Sequence, residues 1–253
     1  MRDYKKERNE HVTFSVKLLG GFDLLCDQNP VRLPLGYQRL VAFLALRTRA
    51  SRAEVAGSLW PEVDDLRAHG CLRTGIWQIQ RCCPGLLVTQ GKELRFGSDV
   101  YVDAIDFEGR AHRILREPQN IPLVELADDA ILRRLLPGWY DDWVLLAQEQ
   151  FRQLQLHVLE VAGEELLSRE KTGPALWAAL DAVNAEPLRE SAHRLVIRIH
   201  IAEGNVSEAI RHYRQYSSLL HGELGVQPTK QLQEIVGGIH FNIPVVAHWD
   251  DLS

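Results

Sequence analysis

The 253-residue sequence lacks the features that would place it in a membrane, a secretory pathway or a metal site. No apolar run approaches the roughly 20 residues that a membrane-spanning helix needs. The charged N-terminal stretch MRDYKKERNEH has no apolar core of the kind a signal peptide contains. None of the four cysteines, Cys26, Cys71, Cys82 and Cys83, forms a C-x-x-C pair. We therefore expect a cytoplasmic protein with reduced, mostly buried thiols, no metal and no cofactor.

The motifs that mark common catalytic sites are also missing. The patterns GxxxxGK[ST], GxGxxG, GxSxG and HExxH do not occur, and His200, His212 and His221 have no metal-ligand spacing. Adjacent Asp141 and Asp142 would point about 100° apart on a helix. We expect them to be solvated carboxylates at a helix start rather than an acid–base pair. The sequence thus predicts a protein that is not an enzyme.

The amino-acid composition is that of an ordinary globular protein, but the charge is distributed unevenly along the chain. Apolar residues make up 45% and charged residues 25% of a chain long enough for two domains. Residues 1–100 carry 15 Lys and Arg against 11 Asp and Glu, a net charge of +4. Residues 101–253 carry 14 against 23, a net charge of −9. A basic half joined to an acidic half suggests different partners for the two halves.

The first hundred residues change from strand periodicity to helix periodicity and back. Ser51 and Glu54 form a capping box at the start of the second helix, which Pro61 ends. Gln90-Gly91-Lys92 joins the last two strands as a hairpin. The predicted elements are strands at 14–19, 22–25 and 31–33, helices at 37–46, 51–60 and 67–83, and strands at 86–89 and 93–96, with one more at 101–103.

From about Asp106 onward the sequence predicts only helix. Internal similarity appears at an offset of 34 residues, where Ala175-Leu176 aligns with Ala209-Ile210. Turns at 170–172 and at 204–205 would divide each unit into a helix pair. A 34-residue period of helix pairs is the signature of tetratricopeptide repeats, which stack on one another.

Four segments of the sequence resemble a known family. LLPGWYDDWVLLAQEQ (135–150), followed by FRQLQLHVLE, resembles the start of the bacterial transcriptional activator domain, and GNVSEAIRHYRQYSSLLHGELGVQPT (204–229) resembles its last repeat. LLGGFDLLCDQNPVRLPLGYQRLVAFLAL (18–46) and SRAEVAGSLWP (51–61) resemble the winged helix joined to that domain. Together, over about residues 12–235, they resemble the Streptomyces antibiotic regulatory protein (SARP) family.

The resemblance implies a fold and a function. The fold would be an α+β winged helix-turn-helix (βββ-ααα-ββ) at 12–104, followed by an all-α, tetratricopeptide-like activator domain at 105–240, with tails at 1–11 and 241–253. The function would be that of a transcriptional activator that binds direct repeats in promoter DNA and recruits RNA polymerase holoenzyme through its sigma factor. We expect a homodimer on DNA that controls a secondary-metabolite gene cluster, for example for an antibiotic.

The third predicted helix has a face suited to the major groove. Leu72, Ile76, Ile79 and Cys83 share one side of it, and polar residues lie opposite. Periodicity alone favours a solvated polar face. The hairpin, which would be the wing of the domain, the order of the elements and the resemblance favour contacts between this face and the bases of DNA. The predicted DNA contacts are Arg73, Thr74, Trp77, Gln78 and Arg81 in this helix, Lys92 and Arg95 in the wing, and Arg52 at the start of the second helix.

An acidic connection precedes this helix. Glu62, Asp64 and Asp65 are predicted to contact a basic surface of the sigma factor, and a solvated loop is an equal alternative. Gln78 and Gln80 stand where the resemblance leads us to expect basic residues. This departure motivates a second hypothesis, a tetratricopeptide-like interaction adaptor that has lost DNA binding.

The aromatic residues of the activator-domain motif also follow a pattern. Trp139, Trp143 and Phe151 are spaced 4 and 8 residues apart, which places them on one side of a helix. A buried core stripe is a more common use of this spacing than a ligand cage. We therefore predict that the three rings pack in the core.

Overall fold

The structure is a computed structural model, and it describes residues 13–241. The described chain divides into two compact units. The first contains residues up to 110 together with 133–151, and the second contains 111–132 together with the residues from 152 onward. The two are described separately below.

The first unit combines two small sheets with three helices. One sheet has the order β3-β2-β1-β7, in which β1 pairs antiparallel with β2 and parallel with β7. The other has the order β4-β6-β5 and is antiparallel throughout. The elements are β1 Phe14–Lys17, β2 Asp23–Cys26, β3 Asn29–Pro30, α1 Leu35–Arg47, β4 Arg49–Ser51, α2 Arg52–Leu59, α3 Asp65–Cys82, β5 Leu87–Gln90, β6 Glu93–Phe96 and β7 Val100–Val102.

The predicted fold class is confirmed, with two differences in the strands. The third strand is Asn29–Pro30 rather than 31–33, because the chain turns at Asp27-Gln28 and pairs with β2 at once. A strand that the sequence did not predict, β4, lies between α1 and α2 and pairs with β6. The predicted capping box is present at the start of α2, where the Ser51 hydroxyl accepts a hydrogen bond of 3.1 Å from the Glu54 amide.

Residues 133–151 pack into the first unit, although they lie far along the chain. Leu135 forms an antiparallel bridge with Leu19, and the Leu136 amide donates to the Leu18 carbonyl at 2.8 Å. The Trp139 ring stacks on Phe22 with centroids 6.0 Å apart. Residues 133–151, which begin the activator-domain motif, therefore contribute backbone hydrogen bonds and aromatic packing to the first unit.

This packing corrects two predictions. Trp139 precedes the helix α6 (Asp142–Ser168) rather than sharing its face, whereas Trp143 packs edge-on against Phe43 and Phe151 is buried against a neighbouring ring. Asp141 is not a solvated carboxylate, because it forms an ion pair with Arg39 of α1.

The cysteines are free thiols, but they are less buried than predicted. Cys83 is fully buried, Cys26 is half-buried, and Cys71 and Cys82 are exposed. Burial, together with the neighbouring Cys82 thiol, raises the pKa of Cys83 to about 12. Cys83 therefore stays protonated and packs as a small apolar residue.

The second unit is helical and carries the repeat inferred from the 34-residue offset. The turns fall where the offset predicted them, at 169–171 and 203–205. α6 approaches its neighbours closely at Gly163, where an added Cβ would lie 2.7 Å from Leu195 and 3.7 Å from Ala178. The helices are α4 Asp103–Arg116 and α6, which begin in the first unit, and α5 Leu123–Leu126, α7 Thr172–Ala185, α8 Glu190–Ala202, α9 Val206–Leu224 and α10 Lys230–Phe241.

A pair of histidines, a buried His193 and a half-buried His212, joins α8 to α9. His193 Nδ1 lies 3.0 Å from His212 Nε2, and His193 Nε2 lies 2.9 Å from the Pro187 carbonyl. Since that carbonyl can only accept, the His193 Nε2–H donates to it, and His193 Nδ1 accepts a hydrogen bond from the Nε2–H of His212. The His193 ring also stacks on Tyr216 at 4.1 Å. Burial lowers the pKa of His193 and lowers that of His212 to about 4, so both rings are neutral.

Candidate nucleic-acid interface

Helix α3 packs on the first unit with one apolar side. Leu72, Ile76 and Ile79 are buried, as the periodicity predicted. Gly75 lies on the same side, and a Cβ added there would be 3.3 Å from Leu40 and 3.6 Å from Tyr37. Gly75, which lowers helix propensity by about 1 kcal/mol relative to alanine, therefore permits close packing of α3 on α1.

The opposite side of α3 carries most of the predicted DNA contacts. Arg73, Thr74, Trp77 and Arg81 are exposed, and Gln78 is half-buried. The Trp77 side chain is 55% exposed. The guanidinium carbon of Arg81 lies 5.4 Å from the centre of the Trp77 ring. The stacking holds a planar donor group beside an aromatic surface, an arrangement that suits contacts with a base and its sugar.

Sequence reasoning missed Arg67 on this face. Arg67 is exposed and lies seven residues before Thr74 and fourteen before Arg81, so the three recur on one side of the helix. Its Nε lies 3.4 Å from the Asp64 carboxylate. The seven-residue spacing was the signal that would have found it.

The predicted wing is the hairpin of β5 and β6. Gly91, with φ of +61°, and Lys92 form its two-residue turn. Leu94 is buried and its neighbour Arg95 is exposed on the opposite face of β6, while Lys92 is exposed at the turn. The hairpin therefore presents positive charge at its turn and along one face.

A third cation beside the wing comes from β4. Arg49 pairs directly with Arg95 across the two strands, while their neighbours Ala50 and Leu94 pair on the buried side. Directly paired residues point to the same face of a sheet, so Arg49 adds to the charge around Arg95. Sequence reasoning missed it because β4 is too short to show alternation.

Arg52 forms hydrogen bonds with the wing through its backbone and its side chain. Its backbone amide donates to the Lys92 carbonyl at 3.1 Å, and its guanidinium donates to the Thr89 hydroxyl at 3.4 Å. The side chain is half-buried. The structure thus brings Arg52, Lys92 and Arg95 together at one end of the first unit.

Glu62 and Asp64 lie between α2 and α3, Asp65 is the first residue of α3, and all three carboxylates are exposed. Asp64 caps α3, because its carboxylate accepts a hydrogen bond of 3.0 Å from the Arg67 amide. Two apolar side chains stand beside the acids, Leu66 at 84% and Val63 at 40% exposure. The connection therefore offers a mixed acidic and apolar surface in addition to the helix cap.

Two features are absent from the described residues, a membrane-spanning helix and a metal-binding cluster. Between residues 13 and 241, no helix is long and apolar enough to cross a membrane. In the same range, no three His, Cys, Asp or Glu side chains come together in a way that could hold a metal ion. The candidate site consists of cations, two uncharged polar side chains and one exposed aromatic ring on two helices and a hairpin.

Comparisons with known proteins agree with this arrangement. Residues 130–239 match the family of the bacterial transcriptional activator domain (BTAD). The fold is similar to that of Mycobacterium tuberculosis EmbR, solved in complex with a low affinity phosphopeptide, with a TM-score of 0.74 and 15% sequence identity. The similarity covers 92% of this chain and 66% of EmbR, so the chain spans slightly less than two thirds of that protein. No curated protein matches the chain by sequence.

The described chain thus combines a small β-sheet unit with a segment that matches the bacterial transcriptional activator domain. The predicted resemblance of the C-terminal part to the bacterial transcriptional activator domain is confirmed by the family match, and the similarity to EmbR confirms the predicted fold. The matched family is a domain of bacterial transcriptional activators.

Proposed function

We propose that the chain is a sequence-specific DNA-binding activator. α3 would lie in the major groove, and the β5–β6 hairpin would contact the phosphate backbone or the minor groove. The observation that supports this proposal is the division of α3 into a buried apolar side and an exposed side with Arg73, Trp77 and Arg81. Arginine can pair with guanine through two hydrogen bonds, and glutamine can do so with adenine.

The wider proposal concerns what the bound protein does. It would bind direct repeats near a promoter as a homodimer, in the bacterial cytoplasm, and recruit RNA polymerase holoenzyme through the acidic connection Glu62–Asp65. The target would be a secondary-metabolite gene cluster. The exposed carboxylates beside Leu66 support a protein contact, because an apolar side chain at 84% exposure gains from being covered.

Selection of binding sites from random duplexes by the full chain tests the proposal. The expected result is one enriched sequence, to which Arg73→Ala and Arg81→Ala each bind about 1–3 kcal/mol more weakly, with circular dichroism unchanged. Arg211→Ala, at an exposed arginine of α9, is the matched control and should bind normally. If no sequence is enriched, the adaptor hypothesis replaces the proposal.

A further inference from the structure

The second unit contains a cavity of about 360 Å³ that is separate from the candidate DNA interface. This volume is within the range of ligand-binding sites. Its wall is formed by the segment that contains α5, by α6 and by α7. The lining residues that matter below are Leu126, Asp128, Leu132, Leu159, Trp177 and Asp181.

Trp177 is the unusual residue of this cavity. Helix α7 buries only alanines, namely Ala175, Ala178, Ala179 and Ala182, and turns the Trp177 indole outward at 72% exposure. Leu132, also in the wall, is 44% exposed. Exposed tryptophan beside aliphatic surface is characteristic of the anchor points of protein interfaces.

The charge of the cavity indicates what would lie on the indole. Asp128 and Asp181 both belong to the wall. Each also interacts with other groups of the chain, so the face of Trp177 supplies the main contact and the carboxylates add a negative field. A cation over an indole is attracted by the negative face of the ring. An aromatic face with two carboxylates is complementary to a guanidinium or ammonium group.

The surface outside the cavity favours a chain segment over a small free cation. Leu123, three residues before Leu126 and therefore on the same side of the short helix α5, is 39% exposed. The apolar surface thus extends beyond the volume that a small molecule would fill. A peptide can cover both parts at once.

We propose that this cavity binds a segment of a partner protein that places an arginine or lysine over Trp177 and inserts an aliphatic side chain against Leu126 and Leu159. The site belongs to the second unit and does not depend on DNA binding by the first. The partner is recognised by an adjacent basic and aliphatic pair in an extended or helical segment.

Panning of a random dodecapeptide library on the full chain tests the proposal. Peptides enriched on the native protein and depleted on Trp177→Ala are expected to share a basic residue next to a large aliphatic residue. In fluorescence anisotropy, the best peptide should bind Trp177→Ala about tenfold more weakly and Asp181→Asn severalfold more weakly. Trp177→Phe should lie between native protein and Trp177→Ala. Tyr140→Ala, at an aromatic residue that is 80% exposed elsewhere, should bind like native protein.

Three results would overturn the proposal. One is an enriched set without basic residues, or a glutamate-substituted peptide that binds as well as its arginine parent. Another is equal binding by native protein and Trp177→Ala. The third is N-butylguanidinium binding as tightly as the best peptide, which would assign the cavity to a small cation. Binding of each variant to the selected DNA stays unchanged in every case, so failure here leaves the proposed DNA-binding function standing.

Discussion

Arg39 on α1 forms a partly buried ion pair with Asp141, which lies 102 positions further along the chain. The side chains are 26% and 23% exposed. Asp141 also stands immediately before α6, and its carbonyl accepts from the Val144 and Leu145 amides of the first turn. The pair therefore fixes the beginning of the long helix against α1 within the first unit.

Asp141→Asn should lower the free energy of unfolding by about 1–2 kcal/mol, because it leaves the Arg39 guanidinium partly buried without its counter-charge. Asparagine is as good a residue as aspartate at a helix start, so the loss reports the charge rather than the cap. Urea denaturation measures it. Asp142→Asn, at the exposed neighbour, is the control and should change little. Equal stabilities of the two variants would mean that the ion pair contributes nothing.

The sequence predicts those parts of the fold that have a local signature. α1, α2, α3 and the two hairpin strands lie within two residues of their predicted bounds, because their apolar residues recur at the helix or strand period. β4 was missed because three residues cannot establish an alternation. The bridge between Leu19 and Leu135 and the Arg39–Asp141 pair have no local signature, since each joins residues more than a hundred positions apart.

The candidate site was predictable to a similar extent. The exposed face of α3 follows from periodicity, whereas Arg49 could be placed only once β4 was known to pair with β6. Residue type alone does not predict that Arg52 donates to the Thr89 hydroxyl. It also does not predict that the Asp64 carboxylate caps α3. Domain boundaries at 104/105 and 240/241 stay predictions.

Gly163→Ala should destabilise the second unit by about 1–3 kcal/mol, because the new methyl group would lie 2.7 Å from a Leu195 methyl carbon and force the helices apart. Gly109→Ala provides the opposite control. It lies in α4 with nothing within 4 Å of the added Cβ, so it should raise stability by about 0.5–1 kcal/mol. Thermal unfolding of both variants measures the difference. A stabilised Gly163→Ala would show that the helices separate without loss.

Lys92→Ala, Arg95→Ala and Arg49→Ala should weaken binding to all DNA sequences rather than change base preference. Each lost phosphate contact should lower the slope of log affinity against log salt by about one. Titrations at several salt concentrations measure the slope. Lys171→Ala, at an exposed turn in the second unit, is the control. An altered base preference with an unchanged slope would mean that the wing reads sequence.

The histidine pair should make the stability of the second unit depend on pH. Burial and the neighbouring histidines lower the pKa of His212 to about 4 from 6.5, so the unfolded chain takes up protons that the folded chain does not. Stability is therefore fully present above about pH 6.5 and falls as the pH decreases toward 4. His212→Gln, which keeps an N–H donor, should lose part of this dependence. Thermal unfolding between pH 7 and 4 compares the two, and parallel curves would exclude the pair as the cause.

The acidic connection should act on transcription and not on DNA affinity. Three carboxylates near the phosphate backbone would repel it, so we expect the connection to face away from the operator. Glu62→Lys with Asp65→Asn, which places no cation in the first turn of α3, should therefore bind the operator as well as native protein or slightly better. Transcription from the same promoter should fall, because a contact with a basic polymerase surface is reversed in sign.

At Asp64, an effect of the charge on transcription must be distinguished from an effect on the stability of α3. Its carboxylate caps α3, and loss of a cap costs about 1 kcal/mol, so lysine there would weaken the recognition helix as well. Asp64→Asn removes the charge and keeps the cap, and Glu223→Lys reverses an exposed acid in α9 as a control. In vitro transcription beside a mobility-shift assay on each variant is the measurement. Because the contact is electrostatic, the defect should shrink as salt rises. Full activation by a variant that binds DNA normally would mean that these acids form a solvated loop and that polymerase is contacted elsewhere.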